Sequence, residues 1–149
     1  MKKEKTKLEL SNAHRWRLTS FLQRPGAVGT YARYLARELF EDIQFTSQEI
    51  KDGGIEETQD PANPGQVRFT WTSQQPKTVL LDEDERLALL EILLTKPQEW
   101  LLGAGDDIIR WLVRDRDEMK QLIAKYKPEE IITTDSGEEK VVEVNGNTN

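Results

Sequence analysis

Apolar residues recur at steps of three and four through several stretches of this chain, and each such stretch predicts a helix with one face turned to a core. The clearest is "GTYARYLARELFEDIQF", where Val28, Tyr31, Ala32, Leu35, Leu39 and Ile43 share a face and Thr30, Arg33, Tyr34, Arg37 and Glu41 lie outside it. Ahead of it, "SNAHRWRLTSFLQ" predicts a helix capped by Ser11 or Asn12. That helix closes at "RPG", because Pro25 disfavours helix in the residue before it. His14, Leu18, Phe21 and Leu22 fall on its apolar side, and Trp16 falls opposite them beside Ser20 and Gln23.

Further along, "DEDERLALLEILL" opens with Asp82 as cap and Glu85 three residues on, the spacing of a capping box. Leu87, Leu89, Leu90, Leu93 and Leu94 cover so wide an arc that this helix is expected at the centre. "GAGDDIIRWLV" predicts another, starting at Asp106 or Asp107 with Ile108, Ile109 and Leu112 inward. The stripe breaks at Asp115 and Arg116 and resumes through Met119, Leu122, Ile123 and Tyr126. "TSQEI" reads as a short helical turn capped by Thr46 or Ser47.

One stretch changes period. Val67, Phe69 and Trp71 alternate with Arg68, Thr70 and Thr72, which predicts a strand with one buried face. Across the turn-rich "DPANPG" it faces Ile55 to Gln59, and the two form an expected β-hairpin. A lone hairpin is marginal in water, so it is expected to pack on the helices or to pair with "KTVLL". The fold class that follows is α+β: about four helices packed with a small antiparallel hairpin or sheet. One domain is expected over residues 8–127, with a basic flexible tail at 1–7 and an acidic flexible tail at 128–149.

Composition narrows the chemistry. The chain has no cysteine, which removes disulfides, thiolate catalysis and Cys-ligated metal sites. Its apolar runs fall far short of the roughly 18–20 residues that cross a bilayer, and the opening "MKKEKTKLEL" lacks the apolar stretch of a signal peptide. No membrane partner and a cytoplasmic location are therefore expected. The single histidine, His14, lies on an apolar face and reads as a satisfied core or boundary residue. The glycine pairs lack the lysine of a phosphate loop and the full dinucleotide fingerprint. Acids such as "DEDE" are favourable at a helix N-terminus without any metal. No cofactor, metal or catalytic residue is expected, and the chain reads as non-enzymatic.

Charge adds one positive signal. The net charge is −6, yet residues 1–37 hold nine Lys/Arg against two Glu, a balance of +7, and the remainder stands at −13. Arg15, Trp16, Arg17 and Arg24 from the first helix join Arg33, Tyr34 and Arg37 from the outer face of the second as a candidate partner-binding patch. Trp, Tyr and Arg are the residues enriched at protein–protein hot spots. The same groups can neutralise phosphates and stack on bases. Alternatively, the patch packs within the chain and its arginines meet the acidic half.

The order "LELSNAHRWRLTSFL", "GTYARYLARELFEDIQFTSQEI", "VRFTWTS", "DEDERLALLEILL" resembles small uncharacterised phage and prophage proteins over residues 8–114. Their pattern is a helix after L-x-L-S/T, a second helix, an F-S/T-x-x-E step, a strand with Trp and a final pair of helices. The longer "DPANPG" turn and the extension beyond Asp115 depart from it. The resemblance implies a phage or prophage origin and a host-cytoplasm location, and it carries no residue roles. The expected function is a phage accessory protein that binds another protein, host or viral, or itself. The alternative is a nucleic-acid-binding module on the first two helices.

Overall fold

Leu8 and Leu10 alternate with Lys7 and Glu9, and this short period-two run forms the first element, β1 (Thr6–Leu10). A computed structural model of the chain describes residues 5–127; the acidic tail expected at 128–149 lies outside the described residues. β1 takes Thr6 and Lys7 out of the stretch read as a basic tail. They are ordered by pairing with β4 (Lys77–Leu81), antiparallel, from Thr6 opposite Leu81 to Leu10 opposite Lys77. Leu8, Leu10, Val79 and Leu81 all point inward and are buried.

The helices α1 (Asn12–Gln23) and α2 (Thr30–Ile43) follow, separated by the "RPG" turn. Ser11 caps α1, its hydroxyl accepting from the His14 amide. Asn12 is fully buried: its side chain donates to the Ser73 carbonyl at 3.0 Å and accepts from the Gln75 amide at 2.6 Å. That pair of bonds brings the segment before β4 back to the start of α1, which is why two strands so distant in sequence meet. Thr46 caps α3 (Ser47–Gly53) through a complete capping box with Glu49. Gly54 ends it at φ +58°, where any Cβ would also run into Thr72.

The hairpin is β2 (Glu56–Gln59) and β3 (Val67–Thr70), with Glu56 opposite Thr70 and Gln59 opposite Val67. Asp60 shapes its turn by accepting from the Ala62 amide and the Asn63 side chain. Those bonds, Asn63 first, hold its carboxyl below the usual range. Two expectations are corrected here. "KTVLL" pairs with β1, so the described residues form two separate two-stranded sheets. Val67 is 55% exposed and Trp71 lies beyond the strand, so the anticipated buried face shrinks to half-buried Phe69.

α4 (Glu83–Leu94) is central, packed on α2 and on α6 (Ala104–Leu112), and carries the expected capping box of Asp82 with Glu85. Leu89, Leu90, Ile92 and Leu93 are fully buried, whereas Leu87 faces outward. α6 starts two residues before the expected Asp106, and the four-residue α5 (Gln98–Leu101) precedes it. Tyr31 was expected inside; instead it is 58% exposed and its hydroxyl donates to Asp84 at 2.9 Å.

The chain divides into two compact units after Val113, two residues before the Asp115 at which the apolar stripe breaks. The second unit contains α7 (Arg116–Tyr126), capped by Asp115, whose carboxylate accepts from the Glu118 amide at 2.8 Å. Seven helices therefore occur among the described residues, against the expected four or so. α3 and α5 are too short, at seven and four residues, to show a stripe.

A candidate binding groove beside the buried arginine

Two exposed ridges set the geometry of the site. On α1, Trp16, Thr19, Ser20 and Gln23 stand at i, i+3, i+4 and i+7; on α2, Arg33, Arg37, Phe40 and Gln44 stand at i, i+4, i+7 and i+11. The helices pack along their apolar faces, and these ridges flank a surface seam. At one end the seam opens into a depression of about 690 Å³, closed by α3 and the hairpin and lined by Trp16, Phe40, Phe45, Ile50, Ile55, Val67 and Phe69. At the other end lies a second depression of about 530 Å³, bordered by Pro25, Arg33, Arg37 and Glu41. Gln23, Phe40 and Gln44 line both, so the two depressions adjoin along this face and are together termed the groove.

Aromatic contacts hold the first end. The Trp16 and Phe69 rings stack nearly parallel, with centroids 4.8 Å apart and planes 11° apart, and the indole N–H donates to Glu57 on β2. Phe69 also meets Phe45 at 6.0 Å and Trp71 at 5.4 Å. Such ring pairs add about 0.5–1.5 kcal/mol each beyond the area they bury. Ile50 and Val67 line this end while remaining largely exposed.

The candidate patch read from the sequence is dispersed by the fold. Arg15 is 1% exposed and therefore inside the protein. Its guanidinium forks onto both Glu49 oxygens at 3.0 Å and donates to the carbonyls of Ile43 (2.9 Å), Gln44 (3.0 Å) and Gln75, with the Phe45 ring 4.1 Å beneath it. The guanidinium hydrogen bonds pull the Glu49 carboxyl from its ordinary 4.5 to about 2, against the opposing effect of burial. Trp16 is half-buried in the groove wall. Arg17 turns away towards α5, donating to the Trp100 carbonyl at 2.7 Å and covering the Phe21 ring. Arg33 and Arg37 border the second depression, Arg24 lines the first, and exposed Tyr34 lines neither.

Arg15 belongs to a pattern. Ile43 is the last residue of α2 and Gln44 its C-cap, so the buried cation satisfies carbonyls that the helix itself leaves unpaired. Arg86, also 1% exposed, donates to the Leu112 carbonyl at the end of α6 and forks onto Glu83. Buried Lys96 donates to the carbonyl of Arg24, the C-cap of α1, and desolvation lowers its pKa. Three helix C-termini are thus each met by a buried cation.

The single histidine sits apart from the groove. His14 Nδ1 lies 2.6 Å from the Ser11 hydroxyl and Nε2 lies 3.1 Å from Asp107, with Trp111 packed on the ring at 4.8 Å. The Ser11 hydroxyl is engaged as the α1 cap, and the nearby depression is bounded by Lys7, Leu8, Glu9 and Trp111 without either Ser11 or His14. The trio therefore fastens α6 to the start of α1. Among the described residues no cluster of three or more acids or histidines is disposed to hold a metal, and no helix is long and apolar enough to cross a membrane.

The sequence reading missed Phe40, Phe45, Ile50 and Ile55. Phe40 carried a usable signal, as an aromatic outside the apolar stripe of α2 and in line with Arg33 and Arg37. Compared with known proteins, the chain matches no family model, no curated protein and no solved structure.

Proposed function

We propose that this chain is a non-enzymatic binding module whose groove between α1, α2, α3 and the hairpin receives a segment of a protein partner. One observation carries the reading: an aromatic depression adjoins a basic one, sharing Gln23, Phe40 and Gln44 with it, and Ile50 and Val67 are left exposed on the aromatic lining. Partially covered apolar side chains ringed by polar residues are what a partner desolvates on docking. Extended by the resemblance to phage and prophage proteins, the proposal makes the partner a host or viral protein met in the host cytoplasm. The test compares proteins retained by the parent with those retained by Ile50→Asp/Val67→Asp. Partners that bind through the groove are expected to be lost from the double variant, while circular dichroism stays unchanged. Equal retention by both proteins would move the interface elsewhere.

Nucleic acid is the weaker reading. One face of Trp16 is taken by Phe69, Arg15 is committed inside the fold, and Arg17 is bonded to the Trp100 carbonyl away from the groove. Retention of the parent on heparin or DNA that falls steeply with salt would restore it.

A further inference from the structure

The chemistry of the occupant follows from the charge that the groove leaves unanswered, and this step rests on the groove being the binding site. Most arginines of the first unit have a partner: Arg15 with Glu49, Arg86 with Glu83, Arg68 with Asp60, Arg37 with Glu41 at 3.5 Å, and Arg17 with a carbonyl. The guanidinium groups of Arg24 and Arg33 meet no carboxylate among the described residues, and both stand on the groove. The Arg37 pair is exposed on both sides, so its carboxylate is readily exchanged. Arg33 and Arg37 thus stand together where Pro25 and the start of α2 form the rim of one depression, with only Glu41 to oppose them, and Arg24 lines the adjoining depression.

The other end is different in kind. Phe40, Ile50, Val67 and Phe69 present apolar surface there, and its one acid, Glu57, accepts from the Trp16 indole. Arg33 and Gln44 are eleven residues apart on one helix, so the α2 side of the groove runs for about 16 Å. We infer that the groove takes a short acidic peptide segment whose carboxylates meet Arg24, Arg33 and Arg37 while a neighbouring large apolar side chain enters between Phe40, Ile50 and Val67. Carboxylate recognition by arginine is charge-assisted and geometrically specific, and the apolar end supplies the buried anchor. A protein segment fits better than a nucleic acid, because Trp16 and Phe69 at the apolar end stack on each other and that end carries an acid of its own, Glu57.

The experiment selects random twelve-residue peptides displayed on beads against the full-length chain. Enriched peptides are then measured by fluorescence polarisation against the parent, Arg33→Glu/Arg37→Glu and Ile50→Asp/Val67→Asp. All these positions are exposed, and folding of each variant is checked by its thermal transition. The expected result is enrichment of peptides that pair Asp or Glu with a large apolar residue. Their affinity should fall at least tenfold for both variants and recover in part for a peptide whose acids are changed to lysine when tested on the arginine-reversed protein. Peptides that need Ile50 and Val67 but carry no acids would overturn the acidic partner and leave the groove reading standing. Failure to enrich any peptide, or enrichment of peptides indifferent to both variants, would overturn both. A single-stranded twelve-nucleotide DNA bound by the parent and lost on arginine reversal would replace the peptide by a polynucleotide.

Discussion

β1 and β4 meet across sixty-six intervening residues and turn Leu8, Leu10, Val79 and Leu81 into the core, whereas β2 and β3 are joined by seven residues and turn only Phe69 partly inward. The backbone pairing is antiparallel in both sheets, and the number of strands is the same. The first sheet is held by α1, α4 and α6 packed against it. The second is held by the flat face of Trp16 and by the bonds of Thr72 and Ser73 to the Gly53 carbonyl. Strand pairing alone is marginal in water, so each sheet is as firm as what covers it. The binding surface is built on the one that is covered least, where opening costs little.

Removing the cover of the first sheet is the harshest way to break this contrast. Leu81→Ala is expected to cost about 2–5 kcal/mol, read as a lowered urea midpoint, because Leu81 is fully buried and its neighbours cannot close the gap. A loss below about 1 kcal/mol would show that the long-range sheet is peripheral.

Acid addresses the junction between the sheets. Arg15 reaches both the Gln75 carbonyl, just before β4, and Glu49 of α3, just before β2. Glu49 titrates near 2 when folded and near 4.5 ordinarily, so the folded state favours its charged form. Its contribution is fully present above about pH 4.5 and disappears as pH falls through about 2. The parent should exceed Glu49→Gln by about 2 kcal/mol at pH 7, the carboxylate being partly screened, and the gap should close as the pH approaches 2. A gap that does not change with pH would mean the carboxylate charge is irrelevant to the pair.

Phe69→Ala sharpens the comparison from the other side. It removes the ring shared by Trp16, Phe45 and Trp71, with an expected cost of about 1–2 kcal/mol. Amide exchange should speed up across Glu56–Gln59 and Val67–Thr70 while Thr6–Leu10 and Lys77–Leu81 keep their protection. Uniform acceleration in both sheets would make them one cooperative unit. The mildest test is Val67→Thr, expected to change stability by less than about 0.5 kcal/mol because the side chain is mostly in solvent. A larger loss would reveal a hairpin packed more firmly than its exposure implies.

The helices were legible because their stripes record which side faces the core: Leu35, Leu39, Ile43, Leu90 and Leu93 are all buried as their spacing requires. The capping box at Asp82 was equally plain, since its bonds span only three residues, and the cap of α3, read as Thr46 or Ser47, is Thr46. β1 was missed because two leucines among lysines and glutamates are too few to show a period, and its partner is remote in sequence. The candidate site was legible in part. Arg24, Arg33 and Arg37 stand where helical geometry put them, but Arg15 neighbours Trp16 in sequence and faces the opposite way in space. What draws it inward is a set of backbone carbonyls contributed by α2 and the segment before β4, and no local pattern announces those.

The three cations at helix ends bear on how this sequence can change. A buried leucine can be exchanged for another apolar residue of similar volume, since the neighbours that touch it can change as well. Arg15, Arg86 and Lys96 instead answer carbonyls of Ile43, Gln44, Leu112 and Arg24. Those acceptors are main chain, and no substitution removes them. An apolar residue at any of the three positions would leave a buried acceptor without its partner, however well it filled the space. The interior of the first unit therefore holds, beside leucine positions that can drift together, three cationic positions that must keep a donor of the right reach.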